Sequence, residues 1–230
     1  MLGIIVLLLL TIVIHYFLLD KKLNIEYFKL STSQFRILIF CILFVLIVRL
    51  LLFGLSLYLS SSKILINPNF EWKLFWISFW FDIRSVLTEE LVFRGVIFWL
   101  LLLKYGARPA VLISTIAFII YHWFSYGIYG VLMPMLVVSI CIGIMGWAMG
   151  LSMVKSGSIY FPIIIHFTWN FTQNTILSNG PLGEVFLLYK MGELKFSEDM
   201  VGLILLLASN LIVPLFILLY VHKFIPQKKS

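Results

Sequence analysis

The chain has 230 residues, of which 62% are hydrophobic and only 12% are charged. Soluble domains are nearer 45–50% apolar and about 25% charged, so the composition excludes a soluble globule of this length and also a disordered or fibrous chain. The formal net charge of +7 is explained by unequal loop charges on the two sides of a bilayer, and we expect no nucleic-acid partner. The composition predicts one all-α integral membrane domain over residues 1–230.

Seven apolar segments approach the roughly 20 residues that a helix needs to cross a bilayer. They are 2–19, 36–59, 73–104 (which a break can divide), 109–126, 131–154, 158–178 and 200–222. With the N-terminus outside, ten basic residues fall in inner connections, four in outer connections and three within spans. Because inner loops carry the excess of Lys and Arg, we predict a multi-pass protein of the cell membrane whose C-terminus is cytoplasmic.

Three smaller features accompany these spans. Cys41 and Cys141 both lie in apolar runs, which predicts no disulfide. Gly146 and Gly150 form a small-residue face that lets two helices approach closely, within the chain or between chains, so the oligomeric state is open. Segment 179–199 is the longest polar connection and is a candidate lid.

The third apolar segment, together with Trp72 just before it, also contains aromatic and charged residues whose role the local sequence does not fix. Trp72, Trp76 and Trp80 recur every four residues, which is typical of a lipid-facing stripe or aromatic belt, with a substrate groove as the alternative. Asp82 and Arg84 are two residues apart and do not face each other on a helix. Neither therefore has a partner in the local sequence.

Ionisable residues within the same segment are costly in a membrane and are functional candidates for that reason. Glu90 and Arg94 are four residues apart, so on a helix they meet and form an ion pair. Glu89 has no such cation in the local sequence, and a second carboxylate beside the first is hard to explain as structure alone. We therefore predict that Glu89 is an acid–base residue.

Two later spans contribute histidines. His122 lies in the fourth span, and the sixth carries His166 and Asn170 at a spacing that aims both at one target. A lone histidine in a membrane helix is more often a packing partner, but here three spans each bear one polar cluster. Together with Glu89 they provide a base, two imidazoles and a neutral donor, a set suited to activating water and stabilising an oxyanion. Glu89, His122 and His166 also match a zinc site with an open fourth position.

Three motifs in three separate apolar segments carry a family resemblance. They are Glu89-Glu90-x-x-x-Arg94, Phe118-x-x-x-His122 and His166-x-x-x-Asn170. In this order they resemble the motifs of the CPBP intramembrane proteases, which include type II CAAX prenyl proteases and bacteriocin-processing and bacteriocin-immunity proteins. The matched region runs from about 85 to 175, and no motif residue departs from the pattern.

The resemblance implies a helical bundle around a water-accessible catalytic cavity, and an endopeptidase activity. Carried over by position, Glu89 activates the hydrolytic water together with His122. His166 and Asn170 hold the carbonyl oxygen as it becomes an oxyanion. The supporting ion pair is Glu90 with Arg94.

The catalytic type and the substrate are less tightly defined. The family is described both as metal-dependent and as a glutamate-type protease. The absence of His-Glu-x-x-His from the motifs favours a mechanism that requires no cofactor, with zinc held by Glu89, His122 and His166 as the alternative. We expect a peptide or membrane-anchored substrate in bacteriocin maturation or self-immunity. A non-catalytic immunity or scaffold protein that binds such a partner is the second hypothesis. A proton-coupled carrier is the third, and the lack of repeat symmetry between the two halves of the chain disfavours it.

Overall fold

The computed structural model describes residues 6, 9, 10, 12, 13, 30–59, 61, 63–178, 180–190 and 198–224, and this part of the chain is mostly helical. The helices are α1 (Thr32–Leu59), α2 (Trp72–Phe93), α3 (Val96–Tyr105), α4 (Ala107–Ser125), α5 (Leu132–Ser156), α6 (Tyr160–Phe171) and α7 (Glu198–Phe224). A π-helical turn (Thr172–Ile176) continues α6, and two strands, β1 (Lys63–Ile66) and β2 (Leu187–Lys190), complete the set. Apart from five residues, the predicted span 2–19 lies outside the described residues.

Within the described ranges, three helices are long and apolar enough to cross a membrane, namely α1, α4 and α5. The sequence predicts seven spans. Two of the other segments are divided: the third breaks at Arg94 and Gly95 into α2 and α3, and the sixth is shared between α6 and the π turn. Although α2 has 22 residues, its charged side chains lower its hydropathy; they are Lys73, Asp82, Arg84, Glu89 and Glu90.

Two buried apolar clusters hold the helices together. The first joins α1, α5, α6 and α7; its members are Leu38, Cys41, Val45, Val48, Met145, Ala148, Met149, Phe161, Ile165, Val213, Ile217 and Val221. The second joins the ends of α2 and α5 to α3, α4 and the start of α6; its members are Leu91, Phe98, Trp99, Ala110, Val111, Met153 and Ile159. Both cysteines are buried and free, as predicted.

The glycine face of α5 packs against α4 within the chain. A Cβ added at Gly146 would lie 3.3 Å from Phe118 Cδ1, and one added at Gly150 would lie 3.1 Å from Val111 Cγ1. The absence of side chains at these positions is what lets the two helices approach closely. Of the two packing options that the sequence leaves open, the structure has the one within the chain.

We expect Gly150→Leu to destabilise the folded protein by about 1–3 kcal/mol, because the larger side chain overpacks the α4–α5 contact. The matched control is Gly54→Leu, since Gly54 lies on an exposed face of α1 with nothing within 4 Å of an added Cβ. Thermal unfolding of both variants in the same detergent measures the difference. Equal unfolding temperatures for the two variants would contradict this packing.

Helix α2 contacts α6 through an aromatic ladder. Phe79 meets both Phe167 and Phe171 edge-to-face, with ring centroids 5.5 Å apart in each pair, and Phe75 meets Phe171 at 5.9 Å. Such edge-to-face pairs add to the stability that burial provides. The predicted tryptophan stripe lies on exposed positions of the same helix; its members are Trp72, Trp76 and Trp80.

At one end of the bundle, the connection after α1 pairs with the connection after the π turn. Strands β1 and β2 form an antiparallel pair, and the Asn67 N–H donates to the Phe186 carbonyl at 3.0 Å. Ser178 Oγ accepts from the N–H groups of Val185, Phe186 and Leu187 at 3.0, 2.8 and 3.0 Å. Residues 180–190 of the predicted lid are therefore tied to their neighbours, and 191–197 lie outside the described residues.

Candidate active site

The predicted ion pair forms at the end of α2 and is fully buried. Arg94 Nη1 lies 3.1 Å from Glu90 Oε1, and neither side chain is exposed. The same guanidinium donates from Nη2 to the Gly146 carbonyl at 3.4 Å and lies 4.2 Å from the centroid of the Phe118 ring. Arg94 therefore connects α2 to α4 and α5 through charge, a hydrogen bond and a cation–π contact.

Each histidine is oriented through its Nδ1 atom. His122 Nδ1 lies 2.8 Å from the Phe118 carbonyl oxygen, and His166 Nδ1 lies 2.8 Å from Glu90 Oε1. A carbonyl oxygen only accepts, so Nδ1 of His122 carries the proton and donates; the carboxylate imposes the same arrangement on His166. In the neutral imidazoles, both Nε2 atoms are therefore left as acceptors.

Glu89 lies opposite both Nε2 atoms. Its Oε2 is 3.9 Å from His122 Nε2 and 3.8 Å from His166 Nε2. These separations exceed a direct hydrogen bond and suit groups bridged by a shared water. The other oxygen, Oε1, accepts from Ser85 Oγ at 3.1 Å, one helical turn earlier on α2. Sequence reasoning missed Ser85, although its four-residue spacing from Glu89 was readable.

The four predicted catalytic side chains line one cavity of about 570 Å³, a size typical of ligand-binding clefts. Asn170 lies one turn beyond His166 on α6, so the two side chains share a wall. The wall formed by α5 is apolar, and α2, α4 and α6 contribute most of the polar groups. The remaining lining residues are Phe81, Ser85, Glu90, Phe118, Tyr121, Ser125, Tyr126, Ile142, Met145, Met149, Trp169, Gln173, Asn174, Gly180, Pro181 and Asn210.

Asp82 finds its partners on the π turn, 92 and 93 residues away in the sequence. Asn174 Nδ2 donates to Asp82 Oδ1 at 2.6 Å, and Thr175 Oγ1 donates to Asp82 Oδ2 at 3.1 Å. Since the Thr175 hydroxyl proton points to the carboxylate, Ser78 Oγ donates to Thr175 Oγ1 at 2.7 Å. Ser78, Asp82 and Thr175 are buried, whereas Asn174 is partly buried and lines the cavity. No local spacing in the sequence indicates this network.

The zinc alternative depends on the placement of its three ligands. Among the residues that the structure describes, no group of three or more His, Cys, Asp or Glu side chains is arranged so that it could hold a metal ion. Glu89, His122 and His166 do not form such a group at the separations given above. We therefore derive no step through a metal.

The comparison with protein families found one matching family model. Residues 71–172 match the family model described as type II CAAX prenyl endopeptidase Rce1-like, a range that contains all seven residues named in the three motifs. No curated protein and no solved structure matches the chain. The match confirms the resemblance inferred from the motifs: residues 71–172 are a domain of the CPBP and CAAX protease family. At the level of the family, the matched residues support a protease domain of the CAAX type, and the family together with the apolar helices indicates a membrane protein.

Proposed function

We propose that this protein is an endopeptidase that hydrolyses a peptide bond inside the membrane with a water activated by Glu89. The observation that carries the proposal is the convergence of Glu89 Oε2 with Nε2 of His122 and of His166, across 3.9 and 3.8 Å, within one cavity. A carboxylate and imidazole acceptors at this spacing suit a water that donates one hydrogen bond to Glu89 and the other to an imidazole Nε2.

In the first step, Glu89 removes a proton from this water while Nε2 of His122 accepts its second hydrogen bond. The oxygen adds to the carbonyl carbon of the scissile bond, and the carbonyl oxygen becomes an oxyanion. A positioned base contributes about 10²- to 10⁴-fold to such a rate. The Ser85 hydrogen bond to Oε1 keeps the carboxylate turned toward the histidines.

In the second step, the oxyanion is held by His166 and by the amide of Asn170. His166 donates from Nε2 when both ring nitrogens carry protons, and in that form Glu90 still accepts the proton on Nδ1. Collapse of the intermediate breaks the carbon–nitrogen bond, and the proton held by Glu89 passes to the leaving nitrogen. Preorganised donors of this kind are among the largest contributions to catalysis.

The finer assignments belong to the same proposal. We infer a multi-pass protein with its N-terminus outside, a glutamate-type mechanism without a required cofactor, and a peptide or membrane-anchored substrate. Bacteriocin maturation or self-immunity is the context that the family resemblance offers. The buried position of the polar groups between apolar helices supports a reaction within the bilayer.

Mass spectrometry of peptides incubated with the purified protein in detergent tests the proposal. The peptides include bacteriocin precursors and prenylated C-termini, and parallel samples contain Glu89→Gln or a metal chelator. We expect cleavage by the wild-type protein, with or without the chelator, and none by the variant. Loss of cleavage with the chelator would overturn the metal-free mechanism. Binding without cleavage would favour the non-catalytic immunity or scaffold function.

A further inference from the structure

Helices α2 and α6 form opposite walls of the site. Two carboxylates on α2 accept hydrogen bonds from α6 and from the π turn that continues it. At one end, Glu90 on α2 accepts from His166 Nδ1 on α6 at 2.8 Å. At the other end, Asp82 on α2 accepts from Asn174 and Thr175 of the π turn that continues α6. The spacing along the two antiparallel segments is the same, eight residues from Asp82 to Glu90 and eight from His166 to Asn174.

The reacting groups lie between these two connections. Glu89 and Ser85 lie between the two carboxylates on α2, and Asn170 lies midway between the two partners on α6. The two connections therefore fix the distance between Glu89, the proposed base, and Asn170, the proposed oxyanion donor. The peptide bond must enter the gap between these two residues. Reactions of this type depend on spacing, because a displacement of about 1 Å can cost 10²-fold in rate.

Asp82 is fully buried and does not line the cavity among the described residues. A buried carboxylate in an apolar helix is expensive, and here both of its oxygens accept hydrogen bonds from one π turn. Such turns replace the regular helical bonding pattern and are frequent at functional sites. Gly180 packs directly against Asn174, since a Cβ added to Gly180 would lie 2.5 Å from Asn174 Cβ.

We propose that Asp82 is a positioning residue for hydrolysis: through Asn174 and Thr175 it holds the π turn so that Asn170 faces Glu89 at catalytic distance. The proposal rests on the function proposed above. It assigns no contact with substrate to Asp82. Its removal should therefore lower kcat and leave KM almost unchanged.

The test compares steady-state kinetics of three proteins on one cleaved peptide: Asp82→Asn, Asn174→Asp, and the double variant that carries both. In Asp82→Asn one of the two oxygens that accept from the π turn becomes an NH2 group, which meets a donor, and we expect kcat to fall about tenfold to a hundredfold by misplacement, with KM unchanged. In Asn174→Asp two carboxylates face each other, and kcat falls similarly. The double variant exchanges the partners, restores one amide–carboxylate hydrogen bond, and should recover most of kcat.

Thermal unfolding of each protein in detergent accompanies the kinetics, and Glu89→Gln is measured beside them. Wild-type kcat in Asp82→Asn, or failure of the exchanged pair to recover kcat although it is as stable as the wild-type protein, would overturn the positioning role. Should the double variant be unstable, Thr175→Val, which removes the hydrogen bonds of Thr175 to Asp82 and Ser78 and leaves the bond from Asn174 to Asp82 in place, must still lower kcat with KM unchanged. Activity retained in Glu89→Gln would instead overturn the proposed function, so the two failures are distinguishable.

Discussion

Glu89→Gln is expected to lower kcat for peptide hydrolysis by about 10²- to 10⁴-fold, the contribution typical of a positioned general base. The amide is nearly the same size as the carboxylate and can still accept from Ser85 Oγ at Oε1. It cannot take a proton from water, so binding should persist while turnover is lost. Initial rates over a range of peptide concentrations, together with peptide affinity, separate the two quantities.

The matched control is Glu184→Gln, the same exchange at an exposed position that does not line the cavity. Its rate should equal that of the wild-type protein. A Glu89→Gln protein that binds peptide and cleaves at the control rate would show that another group is the base. Loss of affinity in place of turnover would assign Glu89 to binding.

Arg94→Met is expected to destabilise the folded protein by about 3–5 kcal/mol, because it leaves the buried Glu90 carboxylate without its cation. The change also removes the donor to the Gly146 carbonyl and the contact with the Phe118 ring. Unfolding in detergent, followed by loss of helical circular dichroism against denaturant, gives the size of the effect. The matched control is Arg84→Met, since Arg84 is exposed on the same helix.

Replacing both members of the pair separates the charge from the loss of packing. In Glu90→Gln with Arg94→Met, no charge is left unpaired, and the glutamine oxygen can still accept from His166 Nδ1. The double variant should therefore recover much of the stability that Arg94→Met loses. An equally unstable double variant would show that the packing of Arg94, and not its charge, stabilises this end of α2.

The spacing of residues along the sequence predicted those contacts of the site that lie within one helix. The four-residue spacing of Glu90 and Arg94 predicted their ion pair, and the glycine spacing predicted a close helix contact. A break within segment 73–104 was allowed for, and the structure has it at Arg94 and Gly95, where an added Cβ on Gly95 would overlap the Leu91 carbonyl oxygen. Helical periodicity is regular enough for such inferences.

Residue spacing could not predict hydrogen bonds between residues that are far apart in the sequence. His166 and Glu90 are 76 residues apart, and their hydrogen bond depends on how α6 packs on α2. The partners of Asp82 and the pairing of β1 with β2 depend on the same tertiary arrangement. Hydropathy also predicted the third and sixth segments as long apolar stretches. In the structure the third is two helices and the sixth is a helix followed by a π turn, which the mean hydropathy of a segment does not show.

The most direct measurement of the central claim is hydrolysis in water enriched in ¹⁸O. The purified protein is incubated with a peptide that it cleaves. Mass spectrometry then measures the mass of the N-terminal fragment, which bears the new carboxyl group, and the amount of intact peptide. If Glu89 activates water, the wild-type protein places one labelled oxygen in the new carboxyl group, and Glu89→Gln leaves the peptide intact. Cleavage with equal labelling by both proteins, or an intact peptide bound by the wild-type protein, would contradict the account.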